Sequence, residues 1–223
     1  MGGFNVTNRF SKRMLPNNYG WLEIQLSKKV MTVLKKYIKN QGGDYTGGLA
    51  GNIEASNHLV DENNWFYNNV LRGCISDYIK LFGKESIPAH GVTAKERNII
   101  LHQFWSNFQL QHQFNPVHDH AGVFSFSIWM SIPTDWRQQH ELPFSKHSNK
   151  PHASNFSFVY KNILGGDMTH HYKLDKQSEG MMLFFPSTLS HTVYPFYNDV
   201  RRLSVAFNSK HSYIPTGKNG VGT

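Results

Sequence analysis

From residue 98 onward the chain is cut into short apolar runs with little room for helices between them, and that cadence restricts the folds open to it. The runs read NIILHQFW, GVFSFSIWMSIP, SFVYKNIL, GMMLFFP, HTVYPF and RRLSVAFN. They are rich in Phe, Tyr, Trp, Val and Ile, the side chains that suit a pleated, half-buried surface. Alternation of large apolar and small polar residues in VFSFSIWMSI marks a strand with two unlike faces. Six or more such strands separated by turns point to a mainly β fold, an antiparallel barrel or jelly roll.

The first half reads differently. Residues 21–40 carry apolar side chains at helical spacing with lysines on the far face, and residues 63–82 repeat the pattern with Val70, Leu71, Cys74, Ile75, Tyr78 and Ile79. Between them, 41–52 holds five glycines and is expected to be a loop. Residues 1–20 are polar and turn-rich, an extended arm. The expected layout is one domain: 1–97 as arm and supporting helices, 98–210 as the β core, 211–223 as a tail. Within the core, 134–155 reads as a long loop at one mouth of the barrel, and Trp136 within it is a candidate substrate contact.

Composition removes several classes. The single cysteine, Cys74, excludes a disulfide framework and a thiolate zinc site. Any metal must then be held by histidine and carboxylate. No apolar run is long enough for a membrane span or a secretory leader, so an intracellular, cytoplasmic protein is expected. The formal charge of +8 is dispersed among the lysines, which makes a nucleic-acid partner a minor reading.

Thirteen histidines are unusual, and three of them fall in suggestive places. His118 and His120 precede the strand that begins at Val123, and side chains two apart on a strand share a face. His191 follows a proline turn at another strand start. Three imidazoles converging at a barrel mouth make a facial site with open positions, which suits Fe(II). Past His191, the run Arg202-Leu203-Ser204-Val205-Ala206-Phe207 alternates. Arg202, Ser204 and Ala206 share one face; Leu203, Val205 and Phe207 share the other. A guanidinium beside a serine hydroxyl suits a carboxylate ligand.

These residues resemble the double-stranded β-helix family of 2-oxoglutarate/Fe(II) oxygenases, in the branch with a His-x-His motif grouped with prolyl hydroxylase-like enzymes. The resemblance runs from about 98 to 208 and rests on Trp105-Ser106-Asn107, His118-Asp119-His120, Glu179-Gly180, His191 and Arg202-Leu203-Ser204. It implies Fe(II) held by His118, His120 and His191, and 2-oxoglutarate gripped by Arg202 and Ser204 with help from Asn107. It also implies consumption of O2, with hydroxylation of a C–H in a peptide or small molecule and release of succinate and carbon dioxide. Trp105, Phe124 and Trp129 are expected to wall the pocket. Most of the wider family has a carboxylate where this chain has His120, so Asp119 stays open as an alternative ligand.

Two rival readings are kept. A cupin-type metalloenzyme also starts from His-x-His but wants a glutamate where this chain has Phe124 and Ser125. A non-catalytic jelly-roll binding or structural protein explains the aromatic strands but not the three histidines with the arginine. Oligomeric state is not readable from sequence.

Overall fold

A computed structural model of the chain describes residues 20–83 and 97–213. The expected arm and the tail beyond Tyr213 lie outside the described residues. Ten strands form two antiparallel sheets. They are β1 (Leu22–Gln25), β2 (Ala55–His58), β3 (Arg97–Gln109), β4 (Asn115–His118), β5 (Phe124–Ser131), β6 (Phe156–Lys161), β7 (Asp167–Tyr172), β8 (Met181–Pro186), β9 (His191–Val193) and β10 (Arg202–Tyr213). The major sheet runs β1-β8-β5-β10-β3-β2 and the minor sheet β4-β9-β6-β7. The architecture is a mainly β, double-stranded β-helix barrel with few helices.

Alternation along the major sheet builds two separate cores. Its outward residues, among them Phe104, Phe124, Phe126, Phe184, Val205 and Phe207, pack under helices α1 (Lys28–Lys39) and α2 (Arg72–Phe82) through Leu34, Tyr37, Cys74 and Tyr78. Phe124 stacks on Phe184 at 4.7 Å, and Phe126 on Phe207 at 4.8 Å. Each such buried ring stabilises the fold by about 2–3 kcal/mol relative to exposure. The inward residues Trp129, Leu183 and Phe185 meet Phe156 and Phe158 of the minor sheet.

Several expectations change. The helix foreseen over 21–40 begins only at Lys28, capped by Ser27, whose Oγ accepts from the Val30 amide at 3.4 Å. Ahead of it, Leu22, Ile24 and Leu26 alternate with Glu23 and Gln25, and this period-two stretch pairs with β8. The stretch 63–82 is helical but opens with a wide turn at Tyr67–Leu71 before α2. Asp61 anchors its start: its carboxylate accepts from the amides of Phe66 (2.7 Å) and Tyr67 (2.8 Å) and from the Tyr37 hydroxyl (3.0 Å). The loop 134–155 contains a short helix, α3 (Trp136–His140), started by Asp135. The core does not stop at 210, since β10 continues to Tyr213. Among the described residues no helix is long and apolar enough to cross a membrane.

Candidate metal centre

Strand pairing brings the first two histidines together. In the β4–β9 ladder His118 stands directly opposite His191, and their rings are 4.3 Å apart. His120 lies past the end of β4 rather than on it. Its backbone amide donates to the Ser187 carbonyl at 2.9 Å, which holds its ring 5.0 Å from each of the other two. One ligand atom from each of the three lies within 4.8 Å of the others. Asp119, the alternative ligand, is exposed and stands outside this group.

Local bonds orient the rings. His118 Nδ1 sits 2.8 Å from the Pro116 carbonyl and His191 Nδ1 3.0 Å from the Leu189 carbonyl. A carbonyl only accepts, so each Nδ1 carries the proton and each Nε2 keeps its lone pair for a ligand. The Pro186–Leu189 turn sets the second of these, since the Leu189 amide donates back to the Pro186 carbonyl at 2.9 Å. His191 is only 4% exposed, and burial, then the neighbouring His118 and His120, push its pKa down to about 3. Burial and His118 bring His120 down to about 4, against a smaller opposing pull from Asp119. Both are neutral imidazoles at physiological pH, the protonation state a divalent cation requires.

The cavity around the three rings is narrow, about 50 Å3. Trp105, Asn107 and Ser204 line it. Trp105 is 3% exposed, stacks on Tyr45 at 4.8 Å, and its indole Nε1 has no hydrogen-bond partner among the described residues. The Asn107 Oδ1 accepts from the Ser56 hydroxyl at 2.9 Å. Phe124 requires a correction. In VFSFSIWM the serines face the cavity side and the phenylalanines face the helices, because the helices cover the outer face of this sheet; Phe124 belongs to that outer core. Trp129 faces inward but is packed in the inter-sheet core against Phe156 rather than lining the cavity. Trp136 lies on α3, away from the cavity lining, with Arg137 and Lys173 over its ring at 4.6 and 4.5 Å.

Arg202 is 2% exposed and lies opposite the cavity-lining Gln109, on the strand face it shares with Ser204 and Ala206. It is not among the residues that line the cavity; its guanidinium lies over the Phe196 ring at 4.8 Å. Nη2 donates to Ser154 Oγ (2.5 Å), the Ser154 carbonyl (3.2 Å) and Thr134 Oγ1 (3.3 Å). Among the described residues Nε and Nη1 have no partner. Burial lowers its pKa to about 9. Two orphaned donors on a buried cation fit a carboxylate ligand. Ser154 and Thr134 sit near the two ends of the 134–155 loop and were not foreseen; nothing in a serine or threonine in a polar loop signals such a role.

The N-terminal half also contributes to the site without a motif to announce it. Gly48, Leu49, Ala50 and Ile53 form one wall. The glycine-rich loop fits there because a Cβ on Gly51 would come 2.0 Å from Asn115 Oδ1 and 2.3 Å from the Phe114 carbonyl oxygen.

Comparison with known proteins agrees with this geometry. A family profile described as "Putative 2OG-Fe(II) oxygenase" matches residues 103–208. No curated protein matches the chain. Among solved structures, an oxidoreductase of the 2OG-Fe(II) oxygenase family from Burkholderia pseudomallei superposes with a TM-score of 0.51 at 11% identity, covering 86% of this chain and 84% of that one. HygX from Streptomyces hygroscopicus, solved with nickel, 2-oxoglutarate and hygromycin B, gives 0.50 at 10% identity, covering 86% and 83%. At such identities the superpositions speak for the fold alone. With the family match over the barrel and the histidine cluster inside it, the core of this chain at 103–208 is that of a 2-oxoglutarate/Fe(II) oxygenase family enzyme.

Proposed function

We propose that the chain is an Fe(II)- and 2-oxoglutarate-dependent hydroxylase acting on a C–H of a peptide or small molecule. The observation that carries this is the convergence of three imidazoles in a barrel that also buries an arginine, two of whose nitrogens have no partner among the described residues. His118, His120 and His191 are the metal ligands in this reading, with Nδ1–carbonyl bonds holding two of the rings in place. Arg202 takes the distal carboxylate of 2-oxoglutarate through Nε and Nη1, while Thr134 and Ser154 fix Nη2. Ser204 and Asn107 line the route between the two ends and orient the co-substrate. When bound, the iron and 2-oxoglutarate supply oxidation by O2, with succinate and carbon dioxide as co-products. The barrel residues exclude water and fix the substrate C–H close to the metal. In this reading the strands β3 to β10 form the catalytic part of one domain, backed by α1 and α2.

Anaerobic addition of Fe(II) and then 2-oxoglutarate tests the assignment. A weak visible charge-transfer band is expected, absent in His191→Ala, together with iron-dependent succinate release once O2 is admitted. A wild-type protein with neither signal would sink the proposal.

A further inference from the structure

We propose that the outer face of the minor sheet carries a second ligand site, one for a phosphate-bearing anion. A cavity of about 560 Å3 lies between β7 and the loop end 149–155, on the opposite side of that sheet from the metal centre. Its walls include Lys150, Lys173, His152, His171 and Asn155. That volume matches a pocket for a small organic ligand.

The lining is built to donate and is left with spare capacity. Asn155 is 1% exposed and lines the cavity; its Oδ1 is turned to the His140 ring, while its Nδ2 has no partner among the described residues. The buried Nδ1 of His152 likewise has no partner among the described residues. Leaving such groups dry and unpaired costs free energy, so a ligand that satisfies them is favoured. The His152 and His171 rings lie 4.5 Å apart, and His171 Nδ1 is engaged by the Ser157 hydroxyl at 2.7 Å.

Charge selects the ligand's sign. Lys150 and Lys173 form no salt bridge among the described residues, although Lys173 lies over Trp136. Asp167, the acid on the lining, is paired with Lys161 at 2.5 Å. After burial, the pKa of His171 is lowered by positive neighbours that include both lysines, so cationic groups converge here with little to offset them. Among the described residues only the inner trio gathers three metal-binding side chains closely enough to hold an ion, and this lining offers no such group. The geometry favours phosphate over carboxylate. No arginine fork lines the cavity, and point-like ammonium, imidazole and amide donors spread around it suit a tetrahedral group with several oxygens.

Calorimetric titration of the full chain with pyrophosphate as the probe tests the site. Saturable binding is expected, unmoved by excess 2-oxoglutarate. It should weaken roughly tenfold or more in the double variant Lys150→Ala/Lys173→Ala and stay unchanged in Lys35→Ala. Citrate should bind more weakly than pyrophosphate. In the wild type, the imidazole NMR signals of His152 and His171 should shift on pyrophosphate addition, a readout that needs no variant. Absence of binding, equal affinity in the double variant, equal loss in Lys35→Ala, competition by 2-oxoglutarate, tighter citrate binding, or unmoved imidazole signals would each overturn the proposal.

Discussion

His191 is the most buried of the three clustered histidines, and both neighbours of its ring in the cluster are other imidazoles. Replacing it with alanine removes one of the three proposed ligands, and divalent-metal affinity is expected to fall about 100-fold or more. Asp119→Ala should leave the affinity within a few-fold, because its carboxylate is exposed and outside the cluster. Equilibrium titration with Fe(II) or Co(II) under argon checks both. Arg202→Gln keeps a donor but loses the charge and the fork. A lost charge-assisted contact is worth about 1.5–3 kcal/mol, so the apparent 2-oxoglutarate affinity should drop by a factor on the order of 10–100. That would be read as a raised KM for 2-oxoglutarate with metal affinity preserved.

At the scale of the element, Gly122 links the metal-bearing loop to β5 at φ +141°, and a Cβ there would lie 2.3 Å from the Ser209 carbonyl oxygen. Gly122→Ala should therefore cost about 2 kcal/mol or more of stability and disturb His120 two residues away, measurable by denaturant unfolding and metal titration together. How far such elements could be read in advance depended on period. The alternation in VFSFSIWMSI and RRLSVAFN was strong enough to announce β5 and β10, and the His-x-His spacing with a distant third histidine announced the cluster. Which face of β5 looked inward was not readable, because either face could have met a core, and so Phe124 was placed on the wrong side. β1 was hidden inside a helical pattern since Leu22, Ile24 and Leu26 satisfy both periods over so short a run. The Arg202 braces, Thr134 and Ser154, come together only through the path of a long loop.

For the molecule as a whole, the major sheet is shared by both cores, its outer face packed on the helices and its inner face on the minor sheet. Unfolding is expected to be a single cooperative transition. Cys74 offers an internal reporter: it lies in the outer core under α2, and burial pushes its thiol up to about 12. Between its ordinary value near 9 and about 12 the folded state holds a proton that the unfolded chain releases. Stability from this group is thus intact below pH 9 and drains away as pH rises toward 12. At pH 8 a thiol reagent should label Cys74 only as fast as the chain opens, and its labelling should track the denaturant transition seen by tryptophan fluorescence.

The clustered trio contains no carboxylate, so a divalent ion seated there keeps both its positive charges undiminished by its own ligands. A dicarboxylate arriving beside it would meet an electrostatic partner stronger than a mixed histidine–acid centre provides. Linkage then runs in both directions: whatever factor the ion adds to dicarboxylate affinity, the dicarboxylate must add to the ion's. Occupancy by the two becomes a joint event, and metal titrations run with and without the acid should differ by that one shared factor.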